Sequence, residues 1–118
     1  MKAFINRVRF ALQGWQAFFS KETNGQIQFC VAIAVVVVGF LIGLSQLEWV
    51  IVLGCIGLIL ALEMVNSAIE KLCDLVHPDK HPTIKFVKDV AAGAVLWASV
   101  IAVVIGAIIF LPKVLLLF

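Results

Sequence analysis

The 22 residues from 90 to 111 contain no Asp, Glu, Lys or Arg. A helix of that length reaches about 33 Å, enough to cross the hydrocarbon layer of a bilayer. Residues 29–47 form a similar uncharged run, and residues 49–62 are apolar for another 14. Fourteen residues reach only about 21 Å, short of the roughly 20 residues a span requires. That helix must continue past Glu63 before it clears the hydrocarbon, which sets a carboxyl group inside the membrane.

Composition agrees. Of the 118 residues, 64% are hydrophobic, against about 45–50% in a soluble domain. The expected fold is an all-α integral membrane protein. It is read as one domain over residues 1–118, with a surface helix at 4–19 and spans at 29–47, 49–70 and 90–111. This length leaves no room for a separate soluble catalytic domain. A net charge of +2 is too small to suggest nucleic acid. Cys30, Cys55 and Cys73 are odd in number and widely spaced, which argues against a disulfide framework. The first long apolar run starts only at Phe29 and no cleavage-site pattern follows it, so a cleaved signal peptide is not expected.

In residues 4–19, Phe4, Val8, Ala11, Leu12, Trp15, Phe18 and Phe19 recur at three- and four-residue spacing. Asn6, Arg7, Arg9, Gln13 and Gln16 fill the other positions. This amphipathic helix is too polar to span; it lies in the membrane interface or docks on the rest of the protein. Residues 20–28 read as a polar hinge. Within them Glu22, taken alone, is a solvated surface charge. Gly39 and Gly43 have the spacing for close helix packing, a weak signal on its own. A short polar turn at 45–48 ends the first span.

The most informative stretch is residues 62–74. With Glu63 at zero and 100° per residue, Asn66 falls at about 300°, Ser67 at about 40°, Glu70 at about 340° and Asp74 at about 20°. Three carboxylates, an amide and a hydroxyl thus share one face, while Ala61, Met64, Val65, Ala68, Ile69 and Leu72 take most of the rest. Such a stripe emerging from a span is costly unless something uses it, and an intramembrane carboxylate is a functional candidate by default. The alternative is a protonated or hydrogen-bonded structural Glu63.

In the loop at 76–83, Pro78 and Pro82 are expected to end one helix and start the next. Cys73, His77 and His81 have i, i+4, i+8 spacing, but Pro78 interrupts their helix and no fourth ligand is near, so a zinc site is not expected. Lys2, Arg7, Arg9 and Lys21 precede the first span, and Lys71, Lys80, Lys85 and Lys88 lie between the second and third. The positive-inside rule puts the N-terminus and this loop in the cytoplasm. Glu22, the 63–74 stripe, His81, Lys88 and Asp89 then converge on one interface.

Carboxylates near lysines at a water–lipid boundary suit a reaction joining a soluble anion to a lipid. Two carboxylates can hold Mg²⁺ together with phosphate oxygens and water. A lysine neutralises phosphate as a point charge. A carboxylate partly out of water is suited to taking a proton from a hydroxyl. Phosphoryl transfer needs little more than such positioning and charge stabilisation. There is no Walker A motif, kinase-type glycine-rich loop or evident Ser/Cys–His pairing.

The stripe Glu63-Met-Val-Asn66-Ser67-Ala68-Ile69-Glu70-x-x-x-Asp74 resembles the signature of the prokaryotic diacylglycerol kinase family, which includes undecaprenol kinases. The resemblance extends to Lys88-Asp89-Val-Ala-Ala-Gly93-Ala94-Val95-Leu96, to Phe10-Ala11-x-x-Gly14 and to Lys21-Glu22-Thr-Asn24. It implies a homotrimeric helical bundle in the bacterial inner membrane that uses ATP and Mg²⁺. Glu63 matches the base that takes the proton from the lipid hydroxyl. Glu22 and Glu70 match metal-binding carboxylates that also face the nucleotide. Lys88 and Asp89 match a pair at the nucleotide, and Asp79, Lys80 and His81 align with a nucleotide-facing loop. Phe10 is the one nucleotide contact carried over from the first 16 residues. The lipid acceptor is implied to lie against the surface helix and the base, at Trp15, Glu63, Asn66 and Ala92. His81-Pro82 followed by Lys88-Asp89-x-Ala-Ala-Gly is closer to the undecaprenol kinase branch than to the diacylglycerol branch.

Two other classes use the same residues. In a proton-relay or transporter subunit Glu63 would carry protons, but the far half has only Ser45, Gln46 and Glu48 at its turn. In a non-catalytic assembly protein the stripe would bind a partner helix.

Overall fold

The computed structural model describes residues 1–77 and 79–118. Four helices follow in order: α1 (Lys2–Lys21), α2 (Thr23–Ile42), α3 (Gln46–Val76) and α4 (Pro82–Leu117). The last three are each long and apolar enough to cross a membrane. The radius of gyration is 17.5 Å, against about 13 Å for a compact domain of this length. The helices therefore enclose little core of their own. Phe18, Ala32, Val52, Cys73, Val95 and Ile109 are the buried apolar side chains. Most other apolar side chains face outward, as a lipid solvent permits.

Every residue from 1 to 17 is exposed, and α1 packs on the chain only through its last turn. Its apolar stripe from Phe4 to Trp15 is thus left uncovered by the rest of this chain. The expected hinge at 20–28 is almost entirely helical: Glu22 alone breaks the run, with an extended backbone that ends α1 and begins α2. A tight elbow makes this possible. Phe18 meets Phe19 edge-on at 5.0 Å, and Phe19 meets Phe29 at 5.2 Å. Gln26 Nε2 donates to the carbonyls of Phe19 and Ser20, at 3.1 and 3.2 Å, satisfying orphan groups at the end of α1. Gly25 leaves room for the Phe18 ring, whose atoms would lie 2.5 Å from any Cβ there. Gly25→Val should therefore expel that ring and destabilise the fold by about 1–3 kcal/mol. A thermal melt in detergent checks this; an unchanged midpoint would contradict it.

Gly39 and Gly43 serve the turn between α2 and α3. A Cβ on Gly39 would meet the Trp49 ring at 2.9 Å, and Gly43 has a φ of 86°, which glycine adopts without strain. Ser45 and Glu48 then cap α3 reciprocally, at 3.2 and 2.9 Å. Lys113 on α4 reaches Glu48 at 3.1 Å, tying the far ends of α3 and α4. Pro82 opens α4 at its first turn, with the His81 ring accepting from the Thr83 N–H at 3.1 Å. Pro78 lies outside the described residues. At its other end α4 continues past residue 111, through Pro112 to Leu117. Proline forfeits one backbone bond there, but the run 114–117 is apolar and Lys113 is anchored.

Candidate active site

Counted from Glu48 at the far end of α3, Glu63 lies about 22 Å along the helix, within the roughly 30 Å hydrocarbon layer. Glu70 and Asp74 fall at about 33 and 39 Å, beyond it. Because α3 is unbroken through all three, their side chains stay on one face. Among the described residues Glu63 and Asn66 are the two buried polar side chains, 5% and 6% exposed.

Asn66 Nδ2 donates to Glu70 Oε1 at 3.3 Å. An ionised carboxylate only accepts, so Glu70 fixes the amide with its nitrogen toward it and its oxygen turned away. Asn66 Oδ1 is consequently buried with no hydrogen-bond partner. A buried acceptor left this way costs about 1–3 kcal/mol, which makes it a natural position for a bound donor or cation.

One turn beyond Glu70, Asp74 accepts from Lys88 Nζ at 2.5 Å, joining α3 to α4. Lys85 pairs with Asp89 along α4 at 2.5 Å. Across the elbow, Lys71 Nζ lies 3.4 Å from Glu22 Oε1. Exposed pairs of this kind add little stability, but they fix where the charges stand. Asp79, Lys80, His81, Lys88 and Asp89 line one open groove of about 650 Å³ with His77, Pro82, Ile84 and Lys85. That size is in the range of small-molecule sites. The His77 and His81 rings lie 5.2 Å apart, with His77 Nδ1 2.9 Å from the Asp79 carbonyl.

The structure thus brings the loop residues and Lys88–Asp89 into one groove. Asp74 and Lys88 link that groove to the Glu63–Asn66–Glu70 face. Glu22 contacts Lys71, the residue after Glu70, but lines neither face nor groove. Phe10, Trp15 and Ala92 are exposed, the first two on α1 and the last on α4. On the membrane side of Glu63, an apolar cleft of about 420 Å³ separates α2, α3 and α4. Ile59 and Leu60, one turn before Glu63, form part of its α3 wall, with Gln28 and Ser99 opposite.

Among the described residues no three His, Cys, Asp or Glu side chains converge on one point. A cation here would therefore have at most two carboxylates from one chain. On the polar face of α3 the donors are oxygens, from Glu70 and the unpartnered Asn66 Oδ1, with Glu22 across the elbow in contact with Lys71. That set fits Mg²⁺, which usually takes one or two carboxylates and completes its shell with phosphate and water.

Asp74 lies on the stripe with no role of its own in the sequence, and Lys71 counts there only as a loop charge that sets topology. On the same helical wheel Lys71 falls at about 80°, at the edge of the stripe, which would have flagged it.

Residues 9–110 match the family model described as prokaryotic diacylglycerol kinase. An undecaprenol kinase from Bacillus subtilis is 47% identical over 92 residues, 78% of this chain and 75% of that protein. A diacylglycerol kinase from Synechocystis is 34% identical over 91% of this chain, which spans 62% of that relative's length. A diacylglycerol kinase from Haemophilus influenzae is 28% identical over 90% of this chain and 91% of its own. With a polar stripe leaving the membrane beside a lysine-lined groove and a family match over most of its length, the chain belongs to the prokaryotic diacylglycerol kinase family.

Proposed function

We propose that this chain transfers the γ-phosphate of ATP to the hydroxyl of undecaprenol, with diacylglycerol as the weaker acceptor, at the cytoplasmic face of a bacterial inner membrane. The observation that carries the reading is a buried Glu63 beside an Asn66 oxygen without a partner, with the Asp74–Lys88 pair that leads to the groove two turns further along α3. The greater likeness to an undecaprenol kinase supports the choice of acceptor.

In this mechanism the groove holds the nucleotide. Lys88 stabilises the charge on the phosphates, Asp74 aims that lysine, and Asp79, Lys80, His81 and Asp89 surround the rest. Phe10 offers an apolar contact from α1. Mg²⁺ held by Glu22 and Glu70 would supply charge neutralisation at the phosphates. The lipid tail lies against Trp15, Ala92 and the apolar cleft, which brings its hydroxyl to Asn66 and Glu63. Glu63 takes the hydroxyl proton as the lipid oxygen bonds to the γ-phosphorus. The bond from that phosphorus to the β-phosphate oxygen breaks, and ADP leaves. The open shape of the single chain is in keeping with a homotrimer, in which neighbouring chains would close the site.

Offering undecaprenol and diacylglycerol in the same micelle, with radiolabelled ATP, tests the acceptor. Label is expected mainly in undecaprenyl phosphate. Label mainly in phosphatidic acid would reverse the assignment.

A further inference from the structure

Glu22 is paired with Lys71, whose side chain is 76% exposed, while that of Glu22 is 26% exposed. Lys71 directly follows Glu70 on α3. One amine is thus adjacent in sequence to one carboxylate read above as a cation ligand and in contact in space with the other. The pair also bridges the α1–α2 elbow to α3, the only ion pair that does so among the described residues.

We propose that Lys71 is an exchanging counter-ion: it neutralises Glu22 until a divalent cation binds there, then moves to the nucleotide phosphates. This rests on the reading of Glu22 as a cation ligand. A divalent cation on Glu22 repels an ammonium held by the same carboxylate, which weakens the pair. A pair whose lysine is largely exposed is weak enough to yield, and the four-carbon lysine stem lets the amine swing without backbone movement. The cation that displaces Lys71 brings phosphate oxygens with it, and an ammonium binds these as a point charge. The same side chain therefore opposes the cation alone and favours the cation with nucleotide. Such a residue lowers occupancy of the site by metal without ATP.

The test measures Mn²⁺ binding by electron paramagnetic resonance on the purified full-length protein in detergent without nucleotide, and then KM and kcat for ATP at saturating metal. Lys71→Met is expected to tighten Mn²⁺ binding about two- to five-fold, the worth of an exposed pair. It should also raise KM for ATP several-fold, with a smaller change in kcat. Lys71→Arg should restore both values toward those of the unaltered protein. Glu22→Gln should weaken Mn²⁺ binding. If Glu22→Gln weakens it but Lys71→Met changes neither Mn²⁺ affinity nor KM, the counter-ion role is overturned and the reading of Glu22 stands. If neither substitution alters Mn²⁺ binding, both fall together.

Discussion

Replacing Glu63 with glutamine is expected to lower phosphoryl transfer by about 10²–10⁴-fold, the usual worth of a general base. Glutamine keeps the shape of the side chain and its hydrogen-bonding oxygen but cannot take a proton. Glu63 is 5% exposed, with no lysine or arginine paired to it among the described residues. Removing its ionisable group therefore strands no partner charge, and the helix should be at least as stable. The loss should appear in kcat, with KM for ATP little changed, because the groove lies beyond the hydrocarbon near Asp79 and Lys88. Steady-state kinetics with a thermal melt in detergent checks both parts. A folded variant that retains full turnover would remove Glu63 from the role of base.

Lys88→Met should have the next largest effect, about 10²–10³-fold in kcat, as expected for one electrostatic stabiliser of the transferring group. Lys88 is held by Asp74 at 2.5 Å from across the α3–α4 interface and lines the groove at the same time. The substitution removes a positive charge from the phosphates and leaves Asp74 repelling them. Asp74→Asn should be milder, because the lysine keeps its charge and loses only its aim. Measuring kcat for both variants tests the order. A greater loss from Asp74→Asn than from Lys88→Met would mean that Asp74 acts directly rather than through the lysine.

Much of this arrangement is legible before any coordinates are known. Fourteen apolar residues before Glu63 are too few to cross a bilayer, so chain length alone puts that carboxyl at depth. Helical periodicity then forces Asn66, Glu70 and Asp74 onto its face. The spacing rules stop at the end of a helix, however. Lys88 meets Asp74 and Lys71 meets Glu22 across a loop and an elbow, and no fixed period relates residues on separate helices. The polar residues of the elbow suggest a nine-residue hinge. Thr, Asn and Gln are tolerated in a helix's first turns, and the Phe18–Gly25 contact lets the bend shrink to Glu22. The third span, bounded at 111 by its uncharged run, likewise ends later than expected, since the apolar residues beyond Pro112 stay helical.

The most direct test of the account is transfer of radiolabelled γ-phosphate from ATP, with Mg²⁺, into lipid by the purified protein in detergent micelles, beside Glu63→Gln. Label in the lipid with the unaltered protein, and its loss in the folded variant, is the predicted result. No transfer to undecaprenol or diacylglycerol from a folded, oligomeric protein would contradict the assignment of the polar face of α3 as a lipid-kinase site.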